Sequence, residues 1–189
     1  MSVLDSLRPR EYVTSIYHIH LERLWQEGIR GIITDLDNTL VEWNSPIATE
    51  KLVAWLQEVQ KMGFHICILS NNDALRVMSF ARPLNIPALH KARKPRKRSF
   101  YTALSLLETQ PEETAMIGDQ LFTDILGGNR MGLYTILVEP VHPHEFIGTR
   151  FVRRIERRIL EGQRPSEGEA WYDSYAPLGV AKEGEEFHS

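Results

Sequence analysis

The sequence predicts an α/β fold, a three-layer α/β/α sandwich in which a mainly parallel sheet lies between two layers of helices. Short apolar runs rich in β-branched residues alternate along the chain with segments that carry apolar residues at helical spacing. Continuous apolar runs are typical of parallel strands buried on both faces, and their alternation with helices favours such a sheet. With 189 residues, 42% of them hydrophobic, the chain suits one domain with short additions.

The predicted elements follow from the period of the apolar residues and from the stop signals after them. Residues 11–27 have a helical period that ends at Gly28, and residues 47–62 have one that ends at Gly63. Further helices are predicted at residues 74–82, 99–107 and 123–130. Strands are predicted at the start of the run 31–40 and at residues 64–69, 86–90, 114–117 and 134–139.

The chain divides into four predicted parts. Residues 1–27 form an N-terminal helical extension, and residues 28–145 form the core domain. Residues 146–162 form a basic amphipathic helix, in which apolar residues recur at four-residue steps between arginines. Residues 163–189 form a flexible tail rich in Gly, Glu and Ser. Two interpretations of the basic helix stay open: it packs on the core, or it lies on an anionic membrane.

Polar residues able to carry chemistry follow four of the predicted strands. They are Asp35, Asp37 and Thr39 after the first strand, Ser70 and Asn71 after the second, Lys94 after the third, and Asp119 and Asp124 after the fourth. Because parallel strands end at the same edge of a sheet, these side chains are predicted to converge. Taken alone, Asp35 and Asp37 also fit an ordinary turn, since Asp is a common turn residue.

The order of these motifs resembles the haloacid dehalogenase (HAD) superfamily of phosphohydrolases. The resemblance covers residues 28–140 and rests on residues 35–39, Ser70, Lys94 before Pro95, and residues 118–124. Each motif is weak alone, but all four in the right order make a chance match improbable. The resemblance implies a Rossmann-like core. The segments Asp-Leu-Asp-Asn-Thr-Leu and Leu-Ser-Asn-Asn are similar to the YqeG group of the capless subclass III, which is itself similar to mitochondrial phosphatidylglycerophosphate phosphatases.

The resemblance implies hydrolysis of a phosphomonoester by an aspartyl-phosphate route. Asp35 is the expected nucleophile, and Asp37 is the expected general acid and base. Mg²⁺, a hard ion that prefers oxygen ligands, is expected on Asp35, the backbone carbonyl of Asp37 and Asp119. Asp124 either ligates the ion or orients one of its waters, and both alternatives stay open. A further alternative for Asp124 is a carboxylate that satisfies the free amides of a helix start.

Four residues are expected to bind the phosphate of the substrate: Thr39, Ser70, Asn71 and Lys94. A hydroxyl donates a hydrogen bond to a phosphoryl oxygen, and an ammonium adds a compact positive charge. Lys94 is one of six basic residues in the segment 91–98, and it is selected because Lys-Pro is the pair typical of the family. The other five are expected to be solvated, or to steer an anionic substrate or surface toward the site.

The spacing of the motifs leaves no room for a cap domain. About thirty residues separate Asp37 from Ser70, and about two dozen separate Ser70 from Lys94, which suffices only for a helix and a strand in each gap. A lid excludes solvent and selects small substrates, so a site without one is open. In the class that the chain resembles, open sites tend to act on large substrates, such as lipid head groups, sugars on polymers or phosphoproteins, or to borrow a lid from a second subunit of a homo-oligomer.

Composition also bears on nucleic-acid binding, on the role of the cysteine and on the cellular location of the protein. A net charge of −3 argues against a specific nucleic-acid partner. Cys67, the single cysteine, lies in an apolar run and is interpreted as a buried structural thiol. No stretch approaches the roughly 20 apolar residues that span a bilayer, and no secretory signal is recognised. We expect a cytoplasmic protein, and peripheral contact with an anionic membrane stays open.

Two other classes of function are considered. A phosphorelay receiver also uses a strand-end Asp, a hydroxyl residue and a Lys, but Asp37 argues against it because receivers lack this second Asp. A binding or scaffold protein of low turnover stays open, and so does a phosphatase of soluble sugar, nucleotide or protein phosphates. His142 and His144 are interpreted as part of a surface loop, since they lack the partners of a metal site.

Overall fold

A computed structural model describes residues 5–43 and 45–141 of the chain. Within these residues six strands form one sheet: β1 (Glu11–Val13), β2 (Gly31–Thr34), β3 (His65–Leu69), β4 (Ala88–Leu89), β5 (Thr114–Gly118) and β6 (Tyr134–Val138). Their order across the sheet is β1-β6-β5-β2-β3-β4, and each neighbouring pair is parallel. The predicted parallel sheet is therefore confirmed.

The helices connect successive strands. They are α1 (Leu21–Gln26), α2 (Glu50–Lys61), α3 (Ala74–Ala81), α4 (Lys97–Leu107) and α5 (Leu126–Met131), with short 3₁₀ turns between them and a π-helical turn at Leu121–Ile125. Side chains fix the start of two helices: Thr49 accepts a hydrogen bond from the N–H of Leu52 at 3.2 Å, and Asp73 accepts one from Arg76 at 3.0 Å. Among the described residues, no helix is long and apolar enough to cross a membrane.

The four central strands, β6, β5, β2 and β3, are largely buried on both faces, because successive side chains enter two different cores. Ile32 and Ile66 pack with the apolar faces of α1, α2 and α3. Ile33, Cys67 and Met116 point to the opposite side, where α4 covers them. The three-layer α/β/α sandwich is thus confirmed. Burial raises the pKa of the Cys67 thiol to about 12, so this thiol is neutral near pH 7, in keeping with a structural role.

The predicted helix over residues 11–27 is wrong over its first half. Glu11–Val13 forms β1, which adds a sixth strand beside β6 with Tyr12 opposite Leu137. The helical segment α1 starts only at Leu21. The unpaired backbone groups along the edge of β6 explain the difference, because pairing with them outweighs a weak local helical period.

The predicted helix over residues 123–130 is divided into two pieces. A wider turn at Leu121–Ile125 precedes α5, and the N–H groups of Asp124 and Ile125 both donate to the carbonyl of Gln120, at 3.0 and 3.3 Å. Such π-helical turns often occur at functional sites. Gly132 ends α5 with φ +80°, as the stop signal after residue 130 indicated.

The chain has no inserted domain at either cap position within the described residues. Between Asp37 and Ser70 it forms a loop, α2 and β3, with only residue 44 outside the description. Between Ser70 and Lys94 it forms α3, a 3₁₀ turn and β4. The site edge of the sheet is therefore open, as the spacing predicted. The His142 and His144 loop, the basic helix at 146–162 and the tail at 163–189 lie outside the described residues.

Candidate active site

The candidate site lies at the carboxyl edge of the sheet, where β2 and β5 are neighbours. From β2 the chain continues to β3 on one side, whereas from β5 it continues to β6 on the other side. The two connections diverge, and such a switch point leaves a crevice in which ligands of open α/β sheets bind. Asp35 directly follows β2, and Asp119 directly follows β5. Both carboxyl groups are buried in the crevice.

A tight turn after β2 places the two carboxylates of the first motif. The N–H of Asp35 still donates to the carbonyl of Ile117 at 2.9 Å, so this residue is anchored to the neighbouring β5. Asn38 then adopts φ +64°, and its N–H donates to the carbonyl of Val41 at 2.7 Å. Asn tolerates this left-handed conformation better than most residues. The turn keeps Asp37 buried, although it lies beyond the end of the strand.

The loop after β5 supplies the other two carboxylates. Thr39 donates a hydrogen bond from Oγ1 to Asp119 Oδ1 at 3.2 Å, which joins the two motifs. Asp124 lies in the π-helical turn and accepts a hydrogen bond from the N–H of Gln120 at 3.2 Å. A Cβ atom at Gly118 would lie 2.3 Å from Asp124 Oδ2, so only glycine lets this carboxylate approach the strand end.

Lys94 binds two of these carboxylates in the interior. Its Nζ lies 2.6 Å from Asp35 Oδ1 and 2.7 Å from Asp124 Oδ1, and all three side chains are buried. Asn71 holds the backbone of Lys94, because its Oδ1 accepts the N–H of Lys94 at 2.7 Å. Ser70, which directly precedes Asn71, is also buried, and its Oγ accepts a hydrogen bond from the N–H of Asn72 at 3.1 Å.

The mutual effects of these charges appear in their pKa values. Burial raises the pKa of Asp35 to about 6, and the charge of Asp124 adds to the rise, although Lys94 opposes it. Burial alone would lower the pKa of Lys94, but the charges of Asp124 and Asp35 outweigh burial and raise it. Lys94 therefore stays protonated. Its single positive charge faces more negative charge than it can neutralise.

The donor set fits a divalent metal ion. One carboxylate oxygen from each of Asp35, Asp119 and Asp124 can be chosen so that all lie within 4.8 Å of one another. If all three are ionised beside Lys94, the cluster carries a formal charge of about −2, which a divalent cation would balance. Three carboxylates and no sulfur or imidazole form a donor set that suits a hard ion such as Mg²⁺ or Ca²⁺.

Two residues that the sequence reasoning missed hold Asp37. Arg76 donates to Asp37 Oδ1 from Nη2 at 2.7 Å and from Nε at 3.1 Å, and Asn72 Nδ2 donates to Oδ2 at 3.1 Å. Arg76 lies in the first turn of α3, where the positive end of the helix disfavours a cation. A basic residue at such a position, close after a site motif, is the signal that could have identified it.

The structure thus brings most of the predicted residues into one crevice. Asp35, Lys94, Asp119 and Asp124 converge, and Asp37 lies beside them with its own partners. Thr39 contacts Asp119, and Asn71 contacts the backbone of Lys94. Their predicted contacts with phosphate stay predictions, as do the roles of the other site residues.

Known proteins resemble this chain in sequence. A family model described as HAD-hydrolase-like matches residues 91–140. The probable phosphatase YqeG of Bacillus subtilis (strain 168) is 50% identical over 152 residues, which cover 80% of this chain and 88% of that protein. The phosphatidylglycerophosphate phosphatase 1, chloroplastic/mitochondrial, of Arabidopsis thaliana is 30% identical over 165 residues. That match covers 81% of this chain but 47% of the plant protein.

A solved structure supports the fold. The crystal structure of an uncharacterized protein from Listeria monocytogenes serotype 4b superposes with a TM-score of 0.50 at 18% identity, and the match covers 70% of this chain and 99% of that one. Together with the six-stranded sheet and the carboxylate crevice, the YqeG similarity defines the class. The chain belongs to the HAD-like family of hydrolases, in the group of YqeG phosphatases, and is a phosphomonoester hydrolase.

Replacement of Gly118 by Ala is expected to lower stability and activity together. The added Cβ would displace Asp124 or the strand end, and overpacking of this kind costs about 1–3 kcal/mol. Thermal unfolding and hydrolysis of an aryl phosphate measure the two effects.

Gly132→Ala is the control. Gly132 has φ +80°, so alanine there strains the backbone of the turn that follows α5, but the added Cβ would have no atom within 4 Å. It should lose stability yet keep its activity per folded molecule, whereas full activity in Gly118→Ala would contradict the proposed crowding.

Proposed function

We propose that this protein is a Mg²⁺-dependent phosphatase that acts through an aspartyl-phosphate on Asp35, with phosphatidylglycerophosphate as its substrate. The observation that carries the chemistry is the convergence of three buried carboxylates and Lys94 in one crevice beside Asp37. A phosphoryl group needs a nucleophile, a proton donor for the leaving alcohol and positive charge around its oxygens. The crevice offers a residue for each of these needs.

In the first step a carboxylate oxygen of Asp35 attacks phosphorus, and the bond from phosphorus to the alcohol oxygen breaks. Asp37 gives a proton to that oxygen, so the product leaves as a neutral alcohol. In the second step a water attacks the aspartyl-phosphate and passes a proton to Asp37. The bond between Asp35 and phosphorus then breaks, which releases inorganic phosphate and restores both carboxyl groups.

Positive charge and hydrogen bonds assist both steps. Lys94, already in contact with Asp35, would stabilise the charge on the phosphoryl oxygens. Ser70 and Thr39 would donate hydrogen bonds to these oxygens, and Asn71 would position Lys94 through its backbone contact. Arg76 and Asn72 would hold the carboxyl of Asp37 in one orientation.

Asp35 and Asp119 would hold Mg²⁺ together with the backbone carbonyl of Asp37, and Asp124 would add its negative charge beside them. When bound, the ion screens the repulsion between Asp35 and the phosphate and polarises the phosphoryl group. One oxygen of Asp124 already contacts Lys94, and the other accepts the N–H of Gln120. These contacts favour the alternative in which Asp124 orients a water of the ion rather than binding it directly.

The choice of substrate rests on the relatives and on the open site. The Arabidopsis relative is named for phosphatidylglycerophosphate, although the chain spans about half its length. Without an inserted cap, the crevice leaves room for a leaving group that stays anchored in a membrane. In this proposal the protein is cytoplasmic and works at the membrane surface. A homo-oligomer in which a second copy covers the site is the alternative for small substrates.

Asparagine at Asp35 is expected to abolish hydrolysis of an aryl phosphate, because an amide is a poor nucleophile. Asparagine at Asp37 should reduce turnover by roughly 10²–10⁴-fold, the usual contribution of general acid–base catalysis. Steady-state kinetics with excess Mg²⁺ measure both. Glu58→Gln is the control, since Glu58 is an exposed carboxylate near the C-terminal end of α2. Persistent activity in the Asp35 variant would rule out the aspartyl-phosphate route.

Mg²⁺ is expected to raise the unfolding temperature of the wild-type protein, because it would bind the folded carboxylate cluster and not the unfolded chain. At a concentration 100 times its Kd the gain is about 2.7 kcal/mol. Asp119→Asn should lose this response, whereas Glu58→Gln should keep it. The measurement is thermal unfolding with increasing MgCl₂ at constant ionic strength. An equal response of the wild type and the Asp119 variant would place the ion elsewhere.

The lipid substrate is tested by kinetics on a panel of phosphomonoesters. We expect a higher kcat/KM for phosphatidylglycerophosphate in mixed micelles than for soluble sugar or nucleotide phosphates. The Asp35→Asn protein is the blank for each substrate. A preference for a soluble phosphate would defeat the lipid proposal and leave the phosphatase chemistry intact.

A further inference from the structure

Exposed apolar side chains are concentrated at the edge of the sheet that holds the site. Of the six large apolar side chains that are exposed among the described residues, four follow strands at this edge: Trp43 (49% exposed), Ile47 (73%), Leu75 (83%) and Val141 (47%). We name these four residues the apolar rim. Trp43 and Ile47 follow β2, Leu75 starts α3 after β3, and Val141 follows β6.

The loops that carry the apolar rim are joined to one another and to the site. The N–H of Val141 donates to the carbonyl of Asn38 at 2.9 Å, in the turn that holds Asp37. Leu75 is the neighbour of Arg76, which binds Asp37. The four residues of the rim thus lie on three of the connections that follow strands at the edge of the sheet with the crevice. Water solvates these side chains poorly, so their exposure favours a contact that covers them.

Basic side chains lie at the same edge of the sheet, in the segment that follows β4, the strand next to β3. The segment after β4, which we name the basic segment, contains five exposed cations: Lys91, Arg93, Arg96, Lys97 and Arg98. Within the described part of the chain, no acidic side chain lies within 4.0 Å of them in an ion pair. No acidic side chain of the described residues therefore neutralises this charge, which can attract an anionic surface.

The basic segment is placed against local helical preference. Arg96 precedes α4, and Lys97 and Arg98 are its first two residues, with no acidic residue in the first turn. The positive end of a helix repels cations and favours acids, so these three residues do not improve the stability of α4. Local rules broken near a site without a compensating contact point to a role in binding.

We propose that the apolar rim and the basic segment together form a docking surface for an anionic lipid bilayer. Aliphatic and indole side chains enter the acyl boundary of a membrane, while adjacent Lys and Arg attract anionic head groups. A nucleic acid would use the basic segment but has no use for exposed Ile, Leu and Val side chains. The surface lies in the core domain, so it is distinct from the predicted basic helix at residues 146–162.

Docking by this edge would turn the crevice toward the lipid head groups. This inference deepens the proposed action on a lipid phosphate and rests on it for its biological purpose. Vesicle binding can be measured without any substrate, however, so failure of docking and failure of the proposed phosphatase reaction are separate results.

The test is vesicle flotation of the full chain, with phosphatidylcholine vesicles that contain or lack phosphatidylglycerol. The apolar variant is Trp43→Ser with Leu75→Ser, and its control is Leu106→Ser, an exposed leucine near the other end of α4. The basic variant is Lys97→Gln with Arg98→Gln. Its control is Lys61→Gln with Arg130→Gln, one Lys and one Arg near the C-terminal ends of α2 and α5.

We expect the wild-type protein to float with the phosphatidylglycerol vesicles. The apolar variant and the basic variant should each bind these vesicles at least roughly tenfold more weakly, because each loses charge or apolar contact with the membrane. The control variants should bind as the wild type does. All four variant proteins should hydrolyse a soluble aryl phosphate as fast as the wild type does. The unfolding temperature of the basic variant should be unchanged or higher. Undiminished binding by both docking variants would overturn the proposal.

Trp43 gives a second readout. Its emission should shift to shorter wavelength when phosphatidylglycerol vesicles are added, and the shift should be missing in Trp43→Phe. Binding of an RNA oligonucleotide that depends on Lys97 and Arg98 but not on the apolar rim, with no emission shift on vesicles, would overturn the proposal in favour of a nucleic acid.

Discussion

The contact of Lys94 with two buried carboxylates is the interaction on which the rest of the site depends. Asp35 and Asp124 come from neighbouring strand ends, and like charges at this separation would repel each other in a medium of low dielectric constant. The positive ammonium group of Lys94, which contacts both carboxylates, reduces this repulsion without a metal ion. Loss of one partner of such a buried cluster would leave a charge uncompensated, which costs far more than loss of an exposed pair.

Backbone contacts explain why this arrangement can be held. Asp35 remains in the hydrogen-bond ladder between β2 and β5, and Asn71 fixes the backbone of Lys94. Asp124 is fixed by the turn that starts at Gln120, at a distance that only Gly118 permits. The charges are therefore positioned by rigid elements rather than by one another. Such preorganisation is what electrostatic catalysis requires.

The sequence predicted the parts of the structure that depend on local pattern and on sheet topology. The three-layer fold and the parallel strands follow from the apolar runs. The lack of an inserted domain between Asp37 and Lys94, among the described residues, follows from the spacing of the motifs. The convergence of Asp35, Lys94 and Asp119 follows because strand ends in a parallel sheet share an edge. Edge strand β1 could not be predicted, since its three residues become a strand only by pairing with β6, more than 120 positions away.

Arg76 was missed for a related reason. Its identity as a partner of Asp37 depends on how α3 is placed over the turn after β2, and side-chain direction of that kind is set by packing. The π-helical turn at Leu121–Ile125 is also a tertiary feature, because it depends on the fit of Asp124 against Gly118. Short motifs thus identified residues that converge in the crevice, whereas the residues that hold Asp37 required the three-dimensional structure.

The pairing of β1 with β6 has a consequence for synthesis of the chain. β1 leaves the ribosome early, but its partner is Tyr134–Val138, so the strand has no native neighbour until most of the core domain has been made. Contacts this distant in sequence form late and slow the folding of a domain. Until the two strands pair, β1 has unpaired backbone groups, and so does the outer edge of β6 once that strand is made; such edges are the usual starting point for pairing between chains. The pairing of β1 with β6 is therefore also a step at which self-association competes with folding.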